Sequence, residues 1–181
     1  LVLLAASCGK KTEKSATTGW KYNDQKWGGF EKTDYEGQAT GPNLVLVEGA
    51  GGLLVEYNPE RETIADLAQL TNAEVVVAVL PNLGTLNQTA LTIEALKQRD
   101  LRLAGVVIGR WPKQPDMICT NNIVDLETIA KRPLSGAIRE RAGHLSKPEF
   151  LSAADAGLSP AFGGHFDAAD FRQRFEYRRK V

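Results

Sequence analysis

Three short stretches combine residue types that could handle a metal, a phosphate or a carboxylate. In Val47-Glu48-Gly49-Ala50-Gly51-Gly52 an acidic residue closes an apolar run and glycines follow at once. A carboxylate at the end of a buried run is costly unless something compensates it. Glycines let the backbone turn sharply and bring its N–H groups against an anion. Together they suit Mg²⁺, which takes carboxylate and phosphate oxygens. An ordinary tight turn with an exposed Glu48 fits the same residues. In Pro81-Asn82-Leu83-Gly84-Thr85-Leu86-Asn87, Gly84 and Thr85 stand where a helix should begin, and Asn87 adds a side-chain donor one turn in. Free amides and the positive end of the helix dipole favour a carboxylate there, and simple capping by Thr85 is the competing reading. The third stretch, Ile108-Gly109-Arg110-Trp111-Pro112, sets a cation and an aromatic after an apolar run. These could edge a nucleotide base, or Trp111 could close the end of a sheet as core.

The elements that must carry these stretches read as alternating strands and helices. Leu44–Val47, Val75–Leu80 (stopped by Pro81) and Leu103–Ile108 (stopped by Gly109) are continuous apolar runs, which suit strands buried on both faces. Between them, residues 63–70 place Ile64, Leu67 and Ala68 on one helical face, with Thr63 and Asp66 spaced as a capping box. Residues 86–99 place Leu86, Ala90, Ile93 and Leu96 or Lys97 along one stripe, with Thr85 and Gln88 repeating the capping spacing. Residues 116–131 carry Ile123, Leu126, Ile129 and Ala130 at helical spacing. Such alternation implies a parallel sheet with right-handed crossovers, and ligands beyond the carboxyl ends of its strands.

Composition narrows the function. Lys and Arg number 22 and so do Asp and Glu, giving zero formal charge, which removes the basic excess expected of a nucleic-acid binder. The basic run from Arg172 to Lys180 reads as a solvated helix end. His144 and His165 have no partner pattern and are not offered as catalysts. Cys8 and Cys119 stand far apart without nearby Cys or His, so they outline neither a zinc site nor a disulfide framework. Cys119 reads as a buried or half-buried free thiol. No apolar run reaches the ~18 residues needed to span a bilayer.

Residues 1–40 differ in character from the rest. Leu1–Ser7 is a short apolar run ending at Cys8, followed by a Lys-, Ser- and Thr-rich stretch and scattered aromatics without period. This predicts an irregular, leader-like or foreign segment ahead of an α/β domain over 41–181. The apolar run looks like the tail of a secretory leader; lipidation of Cys8 would make the chain a membrane-anchored, non-enzymatic surface protein. Thr17-Thr18-Gly19-Trp20-Lys21-Tyr22-Asn23-Asp24 and Gly28-Gly29-Phe30 resemble the start of gliding-motility lipoproteins, and Gly41-Pro42 with Leu44–Gly49 fits that opening too. Nothing after Gly49 does, which suggests a joined chain with its seam inside this shared run.

From about residue 41 onward the ordered motifs resemble dethiobiotin synthetase. They are Val45–Gly52, Thr63-Ile64-Ala65-Asp66-Leu67-Ala68, Leu83-Gly84-Thr85-Leu86-Asn87-Gln88-Thr89, Leu91-Thr92-Ile93-Glu94-Ala95-Leu96 and Ala104-Gly105-Val106-Val107-Ile108. Gly109-Arg110-Trp111-Pro112 and Ala161-Phe162-Gly163-Gly164-His165-Phe166-Asp167 look like the actinobacterial branch. The resemblance implies a P-loop-NTPase-like parallel sheet flanked by helices, in a cytoplasmic homodimer. It implies an ATP- and Mg²⁺-dependent enzyme that joins CO₂ to 7,8-diaminopelargonate and closes the ureido ring. On that resemblance Glu48 is a Mg²⁺ ligand, and Gly49, Ala50, Gly51 and Gly52 lie beside the phosphates and the diamine. Gly84, Thr85 and Asn87 hold the distal carboxylate across the dimer interface. Gly109 and Arg110, with the turn Gly136-Ala137-Ile138, lie at the base. Gly109 stands where some members use Asn, and Arg139 replaces a usual Pro.

The family opens on a Gly-x-x-x-x-Gly-Lys-Thr loop that cradles phosphates. The nearest string, Gly9-Lys10-Lys11-Thr12, fails it, with Lys11 at the hydroxyl position and Leu4 at the first glycine. The expectation is therefore a chain missing its N-terminal P-loop portion, with no residue offered as catalytic, an uncovered sheet edge, and activity absent or very weak. An inactive binding or dimerisation module that keeps the carboxylate pocket is the remaining alternative.

Overall fold

The computed structural model describes residues 2–7, 17–21, 31–35 and 44–175. Cys8, the Gly9–Thr12 string, Trp27, Phe30, Gly41-Pro42 and the tail beyond Phe175 lie outside the described residues. The chain divides into two compact units: Leu1–Val75 with Gln98–Arg102, and Val76–Lys97 with Leu103–Val181.

In the first unit, strand β1 (Val2–Ser7) runs antiparallel to β4 (Leu44–Glu48), with Leu4 opposite Val47 and Ala6 opposite Val45. Strands β2 (Thr17–Lys21) and β3 (Glu31–Tyr35) form a separate antiparallel pair, with Gly19 opposite Thr33. The stretch expected to be irregular up to residue 40 thus contains three strands. An apolar run such as Val2–Ala6 meets its backbone hydrogen-bonding needs most readily by pairing, and Thr17, Thr18 and Trp20 are strand-favouring types.

Helix α1 (Ile64–Thr71) starts where the sequence predicts. Thr63 Oγ1 accepts from the amides of Ala65 (3.2 Å) and Asp66 (3.4 Å), while Asp66 accepts from the Thr63 amide at 2.7 Å. Its buried face is Ile64, Ala65, Leu67 and Ala68, and Asn72 ends it in the left-handed region. The Gln69 amide donates to the Arg99 carbonyl (2.8 Å), and the Val75 N–H donates to that of Arg102 (2.8 Å).

The second unit holds most of β5 (Glu74–Val79), with β6 (Leu103–Trp111) and β7 (Gly136–Arg139) following in that order in a parallel sheet. Helices α2 (Thr85–Gln98), α3 (Met117–Ala130), α4 (Lys147–Gly157) and α5 (Ala168–Phe175) complete it. Val77, Ile93, Leu96, Val106, Ile108, Ile123 and Leu126 are buried. The stripe expected on α2 is displaced: the buried residues are Thr85, Thr89, Ile93 and Leu96, while Ala90 is exposed. Two threonines supply methyl groups to that face in place of Leu86 and Ala90. Among the described residues no helix is long and apolar enough to cross a membrane.

Two strands depart from expectation. Strand β6 does not stop at Gly109 but continues to Trp111. Val107 pairs with Gly136 and Ile108 with Ala137, yet the next pair is Trp111 with Arg139. Three steps along β6 therefore match two along β7, so one extra residue is accommodated at Gly109–Arg110. An isolated glycine inside a strand is a common site for such a bulge. Gly136-Ala137-Ile138, expected as a turn, is strand β7, because the neighbouring edge of β6 offers its backbone partners.

Helix α3 begins behind Asp116, whose Oδ1 accepts from the Cys119 amide at 2.8 Å. That backbone hydrogen bond, aided by the Cys119 side chain, holds the Asp116 carboxyl below the ordinary aspartate range. Cys119 is free and buried, and burial pushes its thiol up. A carboxyl depressed in the folded state stabilises above its unfolded pKa, and that contribution is lost as pH falls through the folded value. Asp116→Ala should therefore destabilise at neutral pH, and the difference from the unsubstituted chain should shrink below about pH 4. Urea unfolding of both proteins at pH 7 and pH 3 measures this.

Candidate functional site

The residues expected to form a site are divided between the two units, and each group has its own geometry. In the first unit, Glu48 ends β4 with its side chain exposed. Gly49 is buried: a Cβ there would lie 2.8 Å from Tyr57 Oη and 2.9 Å from Ile64 Cδ1, so the backbone passes hard against the start of α1. Gly51 sits at φ +116, which requires glycine, and Gly52 faces open space. Its carbonyl accepts from the Val55 amide at 3.3 Å, closing the turn over buried Leu53. The loop beyond is self-supporting. Asn58 exchanges hydrogen bonds with Glu62 (2.6 and 3.0 Å), Arg61 pairs with Glu56 at 2.9 Å, and Glu56 bridges Thr63.

The exposed Glu48 side chain makes no hydrogen bond or ion pair with the described residues, and among them no cluster of three or more His, Cys, Asp or Glu occurs. Such a donor set does not fit a metal caged wholly by protein. It fits Mg²⁺, which keeps several waters and needs only one or two carboxylates beside phosphate oxygens.

In the second unit, Thr85 is the first residue of α2 rather than its cap; it is buried. Gly84, at φ +92, precedes it and its carbonyl accepts from the Gln88 amide at 3.1 Å. The Thr85 amide donates back to Asn82 (3.2 Å). The amides of Leu86 and Asn87 lie within the first turn, where a helix supplies no acceptor. Asn87 is exposed. The turn thus leaves two amides and one carboxamide without an intrahelical acceptor, and the Thr85–Gln88 capping pair does not form.

The residues expected to border a nucleotide base are placed differently from expectation. Gly109 and Arg110 are exposed at the β6 bulge rather than in a loop. Trp111 is buried core: its ring meets Phe171 and Phe175 edge-on, each at 4.9 Å between centroids. Gly136 is buried, while Ala137 and Ile138 are half-buried. A groove of about 600 Å³ runs beside β7, lined by Ala137, Arg139, Glu149, Ser152, Ala156 and Gly157. The Ser146 hydroxyl and amide donate to Glu149 and hold its carboxyl below the usual range, with a smaller pull from Arg139.

Three polar links were not read from the sequence. Asn122 donates to the carbonyls before α2; its signal was a polar residue on the buried stripe of Cys119, Ile123 and Leu126. Glu127 pairs with Arg172, so the basic tail is not wholly solvated. His165 Nδ1 lies 2.9 Å from Asp155 Oδ1 on the surface.

The chain belongs to the AAA-domain family, whose model matches residues 23–146, and its sheet is of the P-loop-NTPase-like α/β class. That match begins ahead of the boundary drawn at residue 41. Among individual relatives, the chain is similar to three proteins each named ATP-dependent dethiobiotin synthetase BioD. That of Frankia casuarinae is 54% identical over 134 residues, covering 74% of this chain and 56% of the relative. That of a Parafrankia species is 54% identical over 132 residues, covering 73% and 56%. That of Streptomyces coelicolor is 47% identical over 136 residues, covering 75% and 57%. The chain spans about half the length of the curated relatives it matches.

Proposed function

We propose that this chain supplies the metal-side turn and the substrate-carboxylate site of an ATP-dependent dethiobiotin synthetase. The reaction would join CO₂ to 7,8-diaminopelargonate, activate the carbamate with ATP and close the ureido ring, in a cytoplasmic homodimer. The 54% identity to a protein of that name carries this reading. The retained anion-ready geometry at the start of α2 supports it.

In this scheme Glu48 holds Mg²⁺ while Gly49, Ala50, Gly51 and Gly52 let phosphate and diamine approach the backbone. Mg²⁺, when bound, neutralises charge developing on phosphate oxygens. The Gly84–Asn87 turn would hold the substrate's far carboxylate through the Leu86 and Asn87 amides and the Asn87 carboxamide, with Gly84 and buried Thr85 shaping the turn. Gly109, Arg110, Gly136, Ala137 and Ile138 border the nucleotide base.

Calorimetric titration tests the assignment. Asn87→Ala should weaken 7,8-diaminopelargonate about tenfold, roughly 1.4 kcal/mol, and leave Mg²⁺-ATP unchanged. Glu48→Gln should do the reverse, lowering the Mg²⁺-dependent part of ATP binding alone. Equal affinities in all three proteins, or no binding of the diamine by the unsubstituted chain, would remove the assignment.

A further inference from the structure

We infer that Asn122 is a positioning residue for the carboxylate-binding start of α2, an inference that rests on the substrate reading just given. Asn122 lies on the buried face of α3 with Cys119, Ile123 and Leu126, and is 6% exposed. A carboxamide at such a position costs stability unless its polar atoms are bonded. Its Nδ2 group donates to the carbonyl of Pro81 at 2.7 Å and to that of Asn82 at 3.3 Å, some forty residues earlier in the chain. The Asn82 carbonyl also accepts the Thr85 amide, the first N–H of α2. One side chain therefore holds the Pro81 and Asn82 carbonyls, the first two of the four residues that lead into the helix.

The outer side of this turn has little else to hold it. Asn82, Leu83 and Gly84 are exposed, Leu83 to 86%, and the position of a Cβ on Gly84 meets nothing within 4 Å. Pro81, by contrast, is fully buried. The turn is pinned from beneath, at Pro81 and Asn82, and left bare above. Its bare part carries the Leu86 and Asn87 amides and the Asn87 carboxamide. Without Asn122, Pro81 and Asn82 would keep their places on average, but the orientation of the next residues would be free to vary. An anion site built from backbone amides loses affinity when those amides no longer converge. Asn122 itself touches no substrate and acts through the turn.

The test separates a carboxylate effect from a general one. The unsubstituted chain, Asn122→Ala and Asn122→Asp are each titrated with 7,8-diaminopelargonate and with 2,3-diaminooctane. The second ligand keeps the vicinal diamine and lacks the carboxylate. The unsubstituted chain should prefer diaminopelargonate. Asn122→Ala should weaken that ligand about tenfold and leave diaminooctane unchanged. Asn122→Asp keeps the size but turns an acceptor toward two carbonyls, so it should weaken diaminopelargonate at least as much. If Asn122→Ala does not fold, Asn122→Asp carries the same comparison. Amide exchange at Thr85 and Gln88, whose N–H groups are bonded to the Asn82 and Gly84 carbonyls, should accelerate in either variant while α3 stays protected. Equal losses for both ligands, or none for either, would overturn the positioning role. If the unsubstituted chain binds both ligands alike, the carboxylate reading of Gly84–Asn87 fails first and this inference falls with it.

Discussion

Replacing Gly105 with alanine is expected to destabilise the chain by about 3 kcal/mol, near the upper end for overpacking a core. A Cβ on Gly105 in β6 would fall 2.1 Å from Ser135 Oγ, 2.7 Å from Ser135 Cβ and 3.2 Å from Phe162 Cε2. The hydroxyl could rotate away, but the Cβ of Ser135 could not. The Ser135 amide donates to the Val106 carbonyl at 2.8 Å, and its own carbonyl accepts the Ser159 amide at 2.9 Å. Ser135 is thus held on both sides, and the strain must pass into β6 or into the Leu158–Phe162 segment. Urea unfolding of the single variant measures the loss. The G105A/S135G pair supplies the control, since removing the second Cβ should recover much of the stability. A single variant as stable as the parent, or a pair no better than the single, would contradict the packing described.

Glu127→Ala should cost about 2 kcal/mol, and its effect should concentrate on α5. Glu127 Oε1 accepts the Leu134 amide at 3.0 Å, and Oε2 receives Arg172 from α5. The side chain is 11% exposed, against 40% for Arg172. The pair lies well short of full burial, so its electrostatic part is reduced by solvent. Most of the expected loss comes from leaving the Leu134 amide without its acceptor. Glu127→Gln keeps an oxygen for that amide and should cost less than half as much. Hydrogen exchange distinguishes the local effect: amides across Ala168–Phe175 should lose protection before those of β6. Uniform loss across the second unit, or equal costs for the two substitutions, would count against this division of labour.

The parts legible in the sequence are those whose causes are local. Three apolar runs read as β4, β5 and the first part of β6, although burial on both faces, expected of all three, holds only for 105–108 of β6: β5 alternates and Leu46 of β4 is exposed. The Thr63–Asp66 box fixes the start of α1 within three residues of sequence, and Asp116 does the same for α3. The turns at Glu48–Gly52 and Gly84–Asn87 were legible for a related reason. A glycine at φ +116 or +92 and a helix start are features of short segments. What escaped the sequence depends on distant partners. Gly136–Arg139 has no long apolar run and is a strand because β6 lies beside it. Thr85 and Thr89 join the buried face of α2 although their side chains read as polar. Asn122 and Glu127 matter through contacts tens of residues away, which no spacing rule encodes. Among the described residues of the first forty, Val2–Ser7 is short and unpunctuated, and only its pairing with β4 gives it a strand's identity.

The extra residue at Gly109–Arg110 makes the end of β6 sensitive to count as well as to composition. Side chains alternate along a strand, so a one-residue slip exchanges the two faces. Shortening the strand by one position there would not trim a loop. It would turn Trp111 half a pleat away from Phe171 and Phe175, and α5 would lose the ring on which it rests. Chain length at this point is thus a phase setting for the aromatic cluster, and an insertion or deletion would be felt more sharply than most exchanges of residue type.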